Sequence, residues 1–98
     1  MPGYICLFKF TPKGIQELKS IPELLKQSAA TTLKEMGMRR IGMWVTMGEY
    51  DAVAIYEAPD DLTMAAAMMV NARNGLTTSQ TMRALSEEEF AQVVSKLP

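Results

Sequence analysis

Tyr50 and Asp51 are the residues of this chain best suited by type to move a proton. A phenol and a carboxyl sit side by side at the head of an apolar run, Tyr50-Asp51-Ala52-Val53-Ala54-Ile55-Tyr56. A carboxyl drawn into such surroundings loses hydration and keeps its proton to higher pH, which suits a general base working near neutrality. Neighbouring residues of a regular strand point to opposite faces, however, which weighs against the two acting on one atom. Turn chemistry explains them more simply, with Asp51 accepting backbone hydrogen bonds at a hairpin and Tyr50 bridging core and solvent.

A second candidate set for ligand binding is Lys9, Trp44, Thr46, Thr81 and Arg83, polar or amphipathic positions on otherwise apolar strands. If strand one lies between strands three and four, Lys9 and Arg83 become neighbours. With Asp51 or Glu57 they would then make a charged pocket for a small anion or a carbonyl compound. The competing account is an ion pair with hydroxyls satisfying one another. The nine methionines read as soft core filler that can also line an adaptable pocket.

Several chemistries are set aside by composition. The chain has 98 residues, a formal net charge of −1 and no histidine, so it lacks the commonest metal ligand and the usual neutral-pH acid and base. One cysteine, Cys6, sits in an apolar run and reads as a buried thiol. There is no Gly-rich phosphate loop, nucleophile-elbow serine or metal-spaced cluster, so neither a cofactor nor a metal is expected. The balanced charge points away from nucleic acid. No apolar stretch is long enough to span a bilayer, and the start Met-Pro-Gly-Tyr lacks the pattern of a secretory signal, so a cytoplasmic location without a membrane partner is expected.

The elements that must position these residues follow from periodicity. Tyr4 to Phe10 reads as a first strand, with Tyr4, Cys6, Phe8 and Phe10 on one face and Ile5, Leu7 and Lys9 on the other. Thr11-Pro12 caps a short helix, and Ser20 with Glu23 makes a capping box for a second, whose buried face is Leu25, Ala29, Leu33 and Met36. Ile41 to Met47 and Tyr50 to Tyr56 read as a hairpin turning at Gly48-Glu49. Asp60-Asp61 opens a helix with Leu62, Ala65, Ala66, Met69 and Ala72 as its buried stripe. Leu76 to Leu85 is a fourth strand. Ser86 to Glu89 is a capping box for a last helix with Phe90, Val93, Val94 and Leu97 inward. The order βαββαβ plus a C-terminal helix in one domain, residues 1–98, is α+β and ferredoxin-like. Strands one to three are apolar on both faces, while both main helices of such a fold cover only one. A second copy packed sheet to sheet is the expected cover.

The stretch Thr46-Met47-Gly48-Glu49-Tyr50-Asp51 resembles the signature of the GYD-domain family, and the resemblance extends through Tyr4-Ile5, Ala58-Pro59-Asp60-Asp61, Thr77-Thr78 and Arg83-Ala84. It implies a dimeric α/β barrel of ferredoxin-like subunits and no settled activity. The expected function is a homodimeric, or higher oligomeric, binding or regulatory module for a small-molecule ligand. One alternative is a cofactor-free enzyme, because the wider superfamily includes small monooxygenases, isomerases and lyases. There Asp51 or Tyr50 would act as base and Lys9 or Arg83 would hold an anionic oxygen. The other alternative is a structural protein-interaction subunit.

Overall fold

The computed structural model describes residues 1–98. Its strands are β1 (Gly3–Phe10), β2 (Arg39–Val45), β3 (Ala52–Glu57) and β4 (Thr77–Ala84), and its helices are α1 (Pro12–Gln16), α2 (Ile21–Ser28), α3 (Asp61–Arg73) and α4 (Glu87–Ser95). The sheet runs β2-β3-β1-β4 and every pairing is antiparallel. This is the expected ferredoxin-like order, with β1 between β3 and β4.

Alternation along the central strands divides the sheet into two unlike faces. Tyr4, Cys6 and Phe8 of β1 and Ala52, Ala54 and Tyr56 of β3 are buried on the helix side, where Leu33 from the helical layer, Met38 just before β2, and Met64 and Ala67 from α3 close the core. Small alanines on β3 leave room for the large β1 side chains beside them. Only 12 of 98 residues are buried. For a chain whose residues are 48% hydrophobic, that leaves much apolar surface outside the core.

On the opposite face, register lines up apolar residues in rows. Gly42, Ile55, Ile5 and Met82 form one row across all four strands, and Trp44, Val53, Leu7 and Gln80 form the next. A bulge at Ile41 sets the β2 positions in these rows, putting Met43 opposite Ala54 and Trp44 opposite Val53. Trp44 is 54% exposed, and its ring lies over Gly42, where an added Cβ would meet it at 2.5 Å.

The helical layer between β1 and β2 is irregular. Thr11 caps α1 by accepting from the Gly14 N–H at 3.1 Å, with Pro12 in the first turn. A 3₁₀ turn, Leu18–Ser20, separates α1 from α2 and leads directly into it, with Pro22 in the first turn of α2. The expected Ser20 capping box does not form, because Ser20 already has helical dihedrals and cannot present its hydroxyl as an N-cap does. After α2 the chain widens into a π turn, Ala29–Leu33. At Gly14 the layer touches the start of β4. A Cβ there would lie 2.1 Å from the Leu76 carbonyl oxygen, while Thr11 donates to the Leu76 and Gly75 carbonyls at 3.0 and 2.5 Å.

The hairpin is looser than its sequence suggests. β2 stops at Val45 and β3 starts at Ala52, so Thr46 to Asp51 form a six-residue loop in which Gly48 takes φ +148°. Thr46 and Asp51 brace it from within: the Thr46 N–H donates to the Asp51 carbonyl at 2.8 Å, and the Thr46 hydroxyl to the Tyr50 carbonyl at 2.7 Å.

Two helices present other faces than expected. α3 buries Met64 and Ala67, whereas Leu62 (83% exposed), Ala65, Ala66, Met69 and Ala72 face outward. The helix is apolar nearly all round, so periodicity in its sequence offered no single stripe. α4 does not turn its apolar side inward either: Phe90 (63% exposed), Val93, Val94 and Leu97 are all exposed. Its capping box does form, with the Glu89 N–H donating to Ser86 Oγ and the Ser86 N–H donating to Glu89, each at 3.1 Å. α4 therefore leaves the open sheet face uncovered.

Candidate functional site

The sheet's two faces carry two different surfaces. On the helix side a cleft of about 500 Å³ lies between the sheet, the α1–α2 layer and α3. β1 contributes Phe8 and Phe10, β3 Ala52 and Tyr56, β2 Arg40 and Met43, and α3 Met68 and Asn71. The π turn adds Thr32 and Leu33. Asn71 is held by donating to the Thr77 hydroxyl at 3.0 Å. Burial pushes the Tyr56 phenol up, with the neighbouring Arg40 charge pulling it back.

The open face is an apolar plate with polar ends. Arg39 and Glu57 pair at one end. At the other, Lys9 Nζ stands 5.2 Å from the centre of the Tyr50 ring, and the Tyr50 hydroxyl donates to Gln80 Oε1 at 2.9 Å. An apolar centre inside a polar rim is how protein interfaces are organised.

The residues singled out in the sequence fall into separate places. The Asp51 carboxylate accepts the Phe10 N–H at 2.8 Å, and its own N–H donates to the Phe8 carbonyl at 2.8 Å, so it ties the loop to the end of β1. Tyr50 turns to Gln80 instead, and the two side chains do not meet as an acid–base pair. Lys9 and Trp44 lie on the open face, Thr46 in the loop, and Thr81 and Arg83 on the helix side. Lys9 is opposite Thr78 and Arg83 opposite Tyr4, five residues further along β1, so the expected Lys9–Arg83 pocket does not form. The strand order is as expected; register and face separate the pair.

Arg83 instead joins three parts of the chain. It pairs with Glu89 at 2.9 Å and lies 4.0 Å from the Asp61 carboxylate. It also donates to the Gly3 carbonyl at 3.3 Å and sits over the Tyr4 ring, 5.6 Å from its centre. The Tyr4 hydroxyl donates to Asp61 at 2.5 Å. Thr81 lies 3.6 Å from the sulfur of Cys6, which is fully buried as expected, and burial pushes that thiol up. No three His, Cys, Asp or Glu side chains gather, and no helix is long and apolar enough to cross a membrane.

Tyr4 provides a pH test of this cluster. Burial first, then the Asp61 hydrogen bond, push its phenol from 10.0 up to about 12. Folding thus holds the proton, so the contribution is intact below pH 10 and is lost as pH rises toward about 12. The urea midpoint of the wild type should fall more steeply over that window than that of Tyr4→Phe, which has no phenol to titrate. Parallel curves for the two proteins would show that the contact does not retain the proton.

The residues bearing most on a site were the ones sequence reasoning passed over. Arg40 and Tyr56 enter the cleft, yet Arg40 reads in sequence as half of a solvated Arg39-Arg40 pair. Strand alternation was the available signal, since Arg40 stands opposite the inward Tyr56 while Arg39 stands opposite Glu57.

Comparison with known proteins adds two matches. The model of the GYD domain matches residues 4–94. A protein of Thermus thermophilus described as glutamine synthetase and cystathionine beta-lyase binding protein is 32% identical over 85 residues, covering 87% of this chain and 90% of that protein. No solved structure matches the chain.

Proposed function

The chain belongs to the GYD-domain family, and from that premise we propose that it is a homodimeric binding protein of regulatory type, holding a small molecule in its helix-side cleft. The observation that supports this best is the division of the sheet, with a cleft of about 500 Å³ on one face and an uncovered apolar plate with polar ends on the other. The plate has the make-up of a self-complementary contact, because two copies related by a two-fold axis would set its apolar rows on each other and its charged ends at the rim. The cleft is within the size range of small-ligand sites and stays free in such a dimer.

A second reading, docking onto other proteins, is favoured by the outward apolar faces of α3 and α4 and by the printed description of the Thermus relative as a binding protein for two enzymes. Here a partner enzyme would be bound by surfaces that sheet-to-sheet dimerisation leaves exposed.

Sedimentation at micromolar concentration tests both readings. The protein should run at twice its 10.9 kDa chain mass, and the Trp44 emission should shift to the blue relative to diluted protein as the open face is covered. A chain mass with unchanged emission rules out the dimer. With glutamine synthetase or cystathionine beta-lyase from the same source added, co-migration supports docking, and independent migration from both counts against it. A thermal-shift screen against metabolites tests the cleft, where no stabilisation by any compound argues against a small-molecule role.

A further inference from the structure

We propose that the cleft takes an amphiphilic carboxylate, its charged group on the Arg40 guanidinium and its apolar body between β1, α2 and α3. The inference rests on the small-molecule reading above and adds the class of ligand.

Charge within the cleft is the first observation. Its lining contains Lys13, Arg40 and Arg73 against one carboxylate, Glu17, although the chain as a whole carries −1. Lys13 and Arg73 are exposed, while Arg40 is half-buried. The pairing of Arg40 is the second. The ion pairs of the protein are Arg39–Glu57, Arg83–Asp61 and Arg83–Glu89, and Arg40 belongs to none of them. Arg40 donates to the Leu25 carbonyl at 3.3 Å and bears on the Tyr56 hydroxyl, both neutral partners, so no carboxylate of the chain answers its charge. A partly desolvated guanidinium without a counter-charge is costly, and a carboxylate is the partner whose two oxygens match its fork.

The surroundings select the rest of the ligand. Phe8, Phe10, Leu25, Leu33, Met43 and Met68 are apolar walls of the cleft that Arg40 enters. They would reject a small hydrophilic anion, which gains nothing from them, and accept a chain or ring that carries its charge at one end. The methionines allow adjustment to its shape. The π turn at Ala29–Leu33 is the third observation. It interrupts the helix where Thr32 and Leu33 meet the cleft, and such single-turn departures cluster at functional sites.

The test uses octanoate, 1-octanol and acetate as probes on protein with methyl-labelled methionine. Octanoate should shift the Met43 methyl signal while leaving that of fully exposed Met47 in place. It should bind more tightly than octanol, and acetate should not bind. Arg40→Gln should weaken octanoate roughly tenfold to a hundredfold, the range for a hydrogen bond to a charged group, and leave octanol within twofold. If that variant does not fold, Arg40→Lys keeps the charge without the fork and should still weaken octanoate severalfold. Equal binding of octanoate and octanol at Met43, or octanoate affinity indifferent to both substitutions, overturns the carboxylate inference and leaves the small-molecule reading standing. Failure of all three probes to move Met43 also overturns the inference, and the metabolite screen then decides the broader reading by itself.

Discussion

Gly14→Ala should be among the most damaging single-methyl additions in this protein. The new Cβ would lie 2.1 Å from the Leu76 carbonyl oxygen and 3.1 Å from its carbon, both of them backbone atoms. Backbone cannot rotate away as a side chain end can, so α1 or the entry to β4 must shift. Both are held by the Thr11 hydrogen bonds to the Leu76 and Gly75 carbonyls. Overpacking of this kind costs about 3 kcal/mol. Against it stands the better helix propensity of alanine, about 1 kcal/mol. The net loss of about 2 kcal/mol should lower the melting temperature by roughly 8–16 °C for a domain of this size. Thermal unfolding monitored by circular dichroism checks it. An unchanged or raised melting temperature would mean that the two backbones do not approach so closely.

Ile55→Asp should abolish self-association while leaving the fold intact. Ile55 lies in the central row of the open face, between Gly42 and Ile5, and does not belong to the buried core. A single chain therefore tolerates a carboxylate there with little loss. In a two-fold dimer the change occurs twice, near the middle of the contact, and each uncompensated charge costs about 3 kcal/mol. Together they should raise the dissociation constant on the order of ten-thousandfold. Leu62→Asp, on the outward face of α3, places the same charge on a surface outside that contact and should leave the mass unchanged. Sedimentation of both variants, with circular dichroism to verify folding, decides the matter. If Ile55→Asp keeps the wild-type mass, the sheet face is not where copies meet.

The fold was legible because its signals are local and redundant. The alternation in Tyr4 to Phe10, the caps at Thr11, Asp60 and Ser86, and the order of elements all lead to one sheet topology. Side-chain placement depends on information that one sequence does not display. α3 is apolar on every side, so which stripe packs inward was decided by the sheet beneath it. α4 has a well-formed apolar face, but amphipathicity states that a face will be covered and does not say by what. The register of β4 against β1 separated Lys9 from Arg83, and the bulge at Ile41 determined which way Trp44 points. The Tyr50-Asp51 pair attracted a chemical reading because of its composition. Its geometry is that of a loop brace, which was the simpler of the two accounts of those residues.

The anchoring of α4 has a mechanical side. The helix is nine residues long, about 13 Å; its near end is clamped by Ser86 and by the Arg83–Glu89 pair, while the hydrogen bonds of its far end stay within the helix and its last turn. It is thus a lever with its fulcrum at one guanidinium, and a tilt of about 10° there swings the tip by about 2 Å. Because that guanidinium also bears on Tyr4 and Asp61, the root of the lever is shared with the first strand and the head of α3.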